Sequence, residues 1–152
     1  MRLAEALILR ADRQKRLEQL KQRVMGSAKV QEGDEPPEDP QGLIAEIERV
    51  ADELLSLIQK INKTNTLTEA APGKNLSDLL AERDVLMARR TIYADLAKAA
   101  SIVQARISRS EVKFKSTVSV PDVQRRVDEL SKAYRETDAA IQELNWKTDL
   151  RE

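Results

Sequence analysis

The sequence predicts a mainly α fold: four long amphipathic helices in an antiparallel bundle or coiled-coil arrangement, with a short β-hairpin or strand insertion between helices 3 and 4. Three observations carry this. Only 4 Gly, 5 Pro and 3% aromatic residues leave little for the turns and pleated faces of a sandwich or barrel. Charged residues at 34% and a wealth of Ala, Leu, Glu, Lys and Arg favour long helices. Apolar residues recur at alternating steps of three and four over most of the chain. The 152 residues suffice for a single helical domain, taken as 1–152, with a modest core.

The first helix is expected over about 2–25. Leu3, Leu7, Ala11, Leu17, Leu20 and Val24 form its apolar stripe, interrupted by Arg10 and Gln14, while Arg13, Arg16 and Arg23 lie opposite. Gly26 stands where a helix stop is expected. Residues 31–40 hold three prolines, a glycine and five carboxylates, and read as an acidic loop. Asp39 is placed to cap the second helix, with Pro40 at its first position.

The second helix, about 40–62, carries the cleanest pattern. Leu43, Ile47, Val50, Leu54, Leu57 and Ile61 alternate steps of four and three without a fault, flanked by Ile44, Ala51 and Ile58. Ile47, Val50, Leu54 and Leu57 are therefore expected to be buried. Residues 62–74 read as loop. The third helix is expected over 76–101, with Leu76, Leu79, Leu80, Leu86, Met87, Tyr93, Leu96, Ala97 and Ala100 on its apolar side and Arg83 and Arg90 on or beside this face near Asp84, where ion pairing is expected.

Over about 103–119 the period drops to two. Val103, Ala105 and Ile107, then Val112, Phe114 and Val118, alternate with polar residues, and Ser108-Arg109-Ser110 could turn a hairpin. Phe114, the chain's only Phe, then needs a cover, either helices of its own chain or a neighbouring subunit. Ser119 and Asp122 open a fourth helix over about 120–145 through a capping box.

Charge is unevenly placed although 26 basic residues balance 26 acidic ones. Residues 1–30 hold eight Lys/Arg and three Asp/Glu; residues 31–56 hold one Arg and nine Asp/Glu. A basic first helix beside an acidic second one suits an antiparallel hairpin with complementary flanks.

The chemistry the sequence excludes is extensive. With no Cys and no His, disulfides, thiolate metal sites, Cys nucleophiles and the commonest general base are all absent. Glu32, Asp34, Glu35, Glu38 and Asp39 do not have the spacing of a calcium loop. No phosphate-binding Gly-rich loop or nucleophile elbow occurs. No catalytic, cofactor-binding or metal-ligating residue is therefore assigned, no cofactor is expected, and the chain is read as a non-enzyme. The stripe of Arg13, Arg16 and Arg23 raises RNA binding, and the first two helices loosely resemble the RNA-binding arm of seryl-tRNA synthetase. Zero net charge and the lack of interleaved aromatics weigh against nucleic acid as a partner. No apolar run approaches a membrane span, and Glu5 and Arg10 break the N-terminal apolar segment too early for a signal peptide, so a cytoplasmic protein is expected.

Seven fragments stand in order along nearly the whole chain: Leu3-Ala4-Glu5-Ala6-Leu7, Val30-Gln31-Glu32-Gly33, Glu38-Asp39-Pro40, Ile61-Asn62-Lys63-Thr64-Asn65, Ala81-Glu82-Arg83-Asp84, Ser108-Arg109-Ser110-Glu111-Val112-Lys113 and Asn145-Trp146-Lys147-Thr148-Asp149-Leu150. Together they resemble the septicolysin-like family of small, uncharacterised bacterial proteins. The resemblance implies a membrane-active, cytolysin-like role, carried by no catalytic motif. From the heptads themselves the leading expectation is a non-enzymatic, soluble, homo-oligomeric helical protein acting through interaction or scaffolding. Its partner is a copy of itself; a small-molecule ligand is unassigned. A membrane-active protein is the alternative, and an RNA-binding helical hairpin the third reading.

Overall fold

A computed structural model describes residues 1–102 and 112–152. Four helices dominate: α1 (Leu3–Gly26), α2 (Pro40–Leu67), α3 (Leu76–Ala100) and α4 (Val120–Lys147). Two short strands, β1 (Glu69–Ala71) and β2 (Lys74–Asn75), pair antiparallel between α2 and α3. The chain divides into two compact units, Met1–Ser77 with Gln142–Glu152, and Asp78–Ile141.

The first unit is built on the α1–α2 hairpin. Asp39 caps α2 as its side chain predicts: its carboxylate accepts from the backbone N–H groups of Gln41 and Gly42, both at 3.2 Å. A β-carbon on Gly42 would sit 3.0 Å from Asp39 Oδ2, so the cap itself calls for glycine there. Leu20, Leu43 and Val50 form a buried cluster, with Leu17, Val24 and Ile47 packed against it. Of the four α2 residues expected to be buried, only Val50 is; Ile47, Leu54 and Leu57 are half-buried. A single partner helix covers a narrower stripe than the full seam would need.

α2 runs five residues beyond the expected end at 62, through the Asn-Lys-Thr-Asn stretch read as loop. Three threonines hold that last turn and a half. Thr64 Oγ1 donates to the carbonyl of Lys60 at 2.7 Å, Thr66 to that of Asn62 at 3.0 Å, and Thr68 to that of Thr64 at 2.6 Å. Ile61 and Thr64 are fully buried, so tertiary packing outweighs the weak helix propensity of Asn and Thr.

The C-terminal segment closes this unit. It reads as a break in the heptad, and it forms a short backbone pairing instead. Leu3 N–H donates to the Thr148 carbonyl and Leu150 N–H to the Met1 carbonyl, both at 2.8 Å, around a bridge between Arg2 and Asp149. Arg151 N–H donates to Thr64 Oγ1 at 2.9 Å, tying the same segment to the end of α2.

The hairpin lies elsewhere than expected. The β1–β2 turn uses Pro72 and Gly73, with Gly73 at φ 76°, the left-handed value that the third position of a type II turn requires. Of the segment 103–119 expected to form strands, 103–111 lies outside the described residues, and 112–119 contains no strand. Alternation supplies a strand only where a second edge completes the hydrogen-bond ladder, and none is described beside 112–119.

In the second unit α3 and α4 run antiparallel, as their polar contacts show. Arg83 Nη1 meets Asp138 Oδ1 at 2.8 Å, and Arg90 Nε donates to Ser131 Oγ at 2.6 Å. Both arginines reach across to α4 rather than to the neighbouring Asp84. Leu79, Ala97, Val127, Leu130 and Ile141 are this unit's buried apolar residues. Asp122 N–H lies 3.4 Å from Ser119 Oγ, the expected start of α4.

Candidate functional site

Two features stand out as sites. The first is an ion-pair ladder along the α1–α2 hairpin. Arg13 Nε donates to Glu53 Oε2 at 2.6 Å, Arg16 Nη2 to Glu46 Oε1 at 2.5 Å and Arg23 Nη2 to Glu38 Oε1 at 2.5 Å. Rising numbers on α1 meet falling numbers on α2 because the helices are antiparallel. Arg49 joins the rungs, 2.8 Å from Glu53 and 3.7 Å from Glu46. A shallow cavity of about 290 Å³ lies over this network, lined by Arg13, Arg16, Glu46, Arg49 and Glu53 among others.

The electrostatics follow from the pairing. The hydrogen bond from Arg23 holds the Glu38 carboxyl below the usual carboxylate range, and that from Arg16 does the same for Glu46. Glu38 in return raises the Arg23 guanidinium. Near the other end of the chain, the Lys147 ammonium bonded to Glu143 lowers that carboxyl. The three arginines singled out as a basic stripe are thus each bonded to a carboxylate of their own hairpin. A phosphate backbone would have to displace those carboxylates to use them. The acidic loop behaves likewise: Glu38 is an ion-pair partner and Asp39 a helix cap. Among the described residues no group of three or more His, Cys, Asp or Glu side chains is placed to hold a metal ion.

The second feature is apolar and exposed. α3 carries two apolar faces. Leu79, Leu86, Tyr93 and Ala97 lie on the covered one, buried or half-buried, whereas Ala81, Val85, Ala88, Ile92 and Ala99 are exposed. Val85 is 57% exposed and Ile92 65%. At 100° per residue these five, with Leu96, fall within one stripe on the side away from Leu79. At the C-terminal end of α3 the stripe leads into an open cleft of about 510 Å³, lined by Leu96, Ala99, Ala100, Ile102, Phe114 and Val118. Phe114, for which a cover was expected, is 91% exposed in the single chain.

The sequence reading missed most of this face. It grouped the inward-packing α3 residues with Met87 and Leu96, which are exposed, and left Val85 and Ile92 unassigned, although Ala81, Val85, Ala88 and Ile92 follow a 4-3-4 spacing. Two apolar stripes on one helix blur the amphipathic signal that a single stripe would give.

Fold and surface together define a mainly α protein with long paired helices, a two-strand hairpin and one uncovered apolar helix face. The chain belongs to DUF6847, a family of unknown function, whose model matches residues 10–150. It is also similar, at 42% identity over 99% of both chains and with a TM-score of 0.94, to a functionally unknown conserved protein from Corynebacterium diphtheriae known from its crystal structure. No curated protein matches the chain. These findings overturn the resemblance to the septicolysin-like family: neither match points to it. Three of the fragments behind that resemblance have structural roles: Glu38-Asp39-Pro40 is a helix cap, Ile61 to Asn65 a packed helix end and Asn145 to Leu150 part of the closing pair; residues 108–111 lie outside the described residues. Among the described residues no helix is long and apolar enough to cross a membrane.

Proposed function

We propose that this chain is a non-enzymatic, cytoplasmic protein that acts as a homo-oligomer through interaction or scaffolding. The exposed apolar residues of α3 and of the cleft at its end carry the reading: Val85, Ile92, Ile102 and Phe114 are each more than half exposed. Exposed apolar surface on this scale marks association sites. Symmetric self-association requires no residue of special chemistry, which suits a chain without His or Cys.

Multi-angle light scattering on the full chain at micromolar concentration tests this. The expected mass is at least twice 17.2 kDa. A monomer persisting at 100 µM would overturn the reading. Leakage from dye-loaded liposomes would replace it with a membrane-active role, and salt-dependent RNA binding with a nucleic-acid role.

A further inference from the structure

We propose that the cleft at the C-terminal end of α3 binds a single-chain anionic amphiphile, a fatty acid in chemical class. The inference goes beyond the homo-oligomer reading and does not rest on it. The cleft's volume of about 510 Å³ falls within the roughly 300–1,000 Å³ of small-ligand sites. Leu96, Ala99 and Ala100 line it from the last turns of α3, and Ile102, Phe114 and Val118 from the segments beside them. Phe114 is 91% exposed in the free chain, so a hydrocarbon in the cleft gives its ring a contact that it lacks.

The polar groups of the lining select the rest of the ligand. Ser101 Oγ donates to the Ala97 carbonyl at 2.8 Å and Ser116 Oγ to the Val118 carbonyl at 2.7 Å. Both hydroxyl protons are therefore engaged by the chain itself. A sugar or nucleotide would bury many polar atoms here and find few donors to meet them. A hydrocarbon chain needs none. Lys115 is the single charged side chain of the lining, and no carboxylate shares the lining with it. Among the described residues no ion pair engages Lys115. Its stem can lie along apolar surface while its ammonium stays at the water's edge, where an anionic head group would meet it. The matching ligand is apolar along its length and negatively charged at one end.

Calorimetric titration of dodecanoate into the full chain tests this. One dodecanoate should bind per chain, saturably. Decanoate, two methylenes shorter, should bind roughly four- to fifteenfold more weakly, the range from half to full burial of those groups. Ala99→Trp should abolish binding, because its indole fills the cleft from an exposed helix position. The wild-type chain should prefer decanoate to decanol by roughly two- to fivefold, and Lys115→Gln should bind the two alike. Absence of saturable binding, or binding that Ala99→Trp leaves intact, would overturn the site. Equal affinity of the wild-type chain for decanoate and decanol would overturn the anionic class of ligand. Should Ala99→Trp lose helix content by circular dichroism, Phe114→Asp decides in its place: it sets a carboxylate beside the bound chain, and an unchanged dodecanoate affinity would overturn the site.

Discussion

Truncating Leu20 to alanine tests the α1–α2 core most sharply. Leu20 is fully buried, and its neighbours Leu43 and Val50 are 5% and 2% exposed. The substitution removes three carbons, about 2.4 kcal/mol of transfer free energy at roughly 0.8 kcal/mol each. The cavity left between two helices adds to this, giving about 3 kcal/mol within the 2–5 kcal/mol span of buried Leu→Ala changes. For a chain of this length that lowers the melting midpoint by about 6–12 °C. Leu54→Ala provides the internal comparison. Leu54 is half-buried, so it loses roughly half the transfer term and opens no closed cavity, about 1 kcal/mol and 2–4 °C. Leu55, 55% exposed, should shift the midpoint by no more than about 1 °C. Thermal unfolding followed by circular dichroism reads all three. A Leu54→Ala loss equal to that of Leu20→Ala would refute the assignment of the α2 seam.

Four further outcomes follow from particular contacts. Asp39→Ala should cost about 0.5–2 kcal/mol by orphaning the first N–H groups of α2, read as a lower urea midpoint. Gly42→Ala, a change that stabilises most helix interiors by about 0.5–1 kcal/mol, should give no gain here because its methyl would press on the Asp39 carboxylate at 3.0 Å. Glu38 and Glu46 have depressed folded-state pKa values, so the stability their ion pairs contribute is present above the ordinary carboxylate range and lost as pH falls through the depressed values. Unfolding midpoints should hold from pH 7 to about 5 and fall below about pH 4, with a shallower fall in Glu38→Gln and Glu46→Gln. Thr64→Val should cost about 1–3 kcal/mol, because it removes the acceptor for Arg151 N–H, and amide exchange at Arg151 should quicken.

The helices were legible because each has a start or stop written in local chemistry. Asp39-Pro40 and Ser119 mark the starts of α2 and α4, and the starts of all four helices fall within a residue of expectation. The end of α2 was not legible, since Asn62 to Thr68 is poor helix sequence held by threonine back-bonds and by the burial of Ile61 and Thr64. The hairpin was misplaced because alternation in residues 103–119 looks like strand from the side chains alone, whereas β1–β2 is too short to show a period and is set by its Pro72-Gly73 turn. The ion-pair ladder was foreshadowed by the opposite charges of residues 1–30 and 31–56, although not its particular rungs. The outer face of α3 was hidden because the helix is apolar on two sides, and spacing does not say which side its own chain covers.

Self-association is most directly tested by the concentration dependence of thermal unfolding in the wild-type chain. Mass action stabilises a folded oligomer as protein concentration rises, whereas a folded monomer is indifferent to it. Between 1 and 100 µM the midpoint should climb steadily, and Ile92→Asp should abolish the climb. A wild-type midpoint that stays constant across that range would contradict the account.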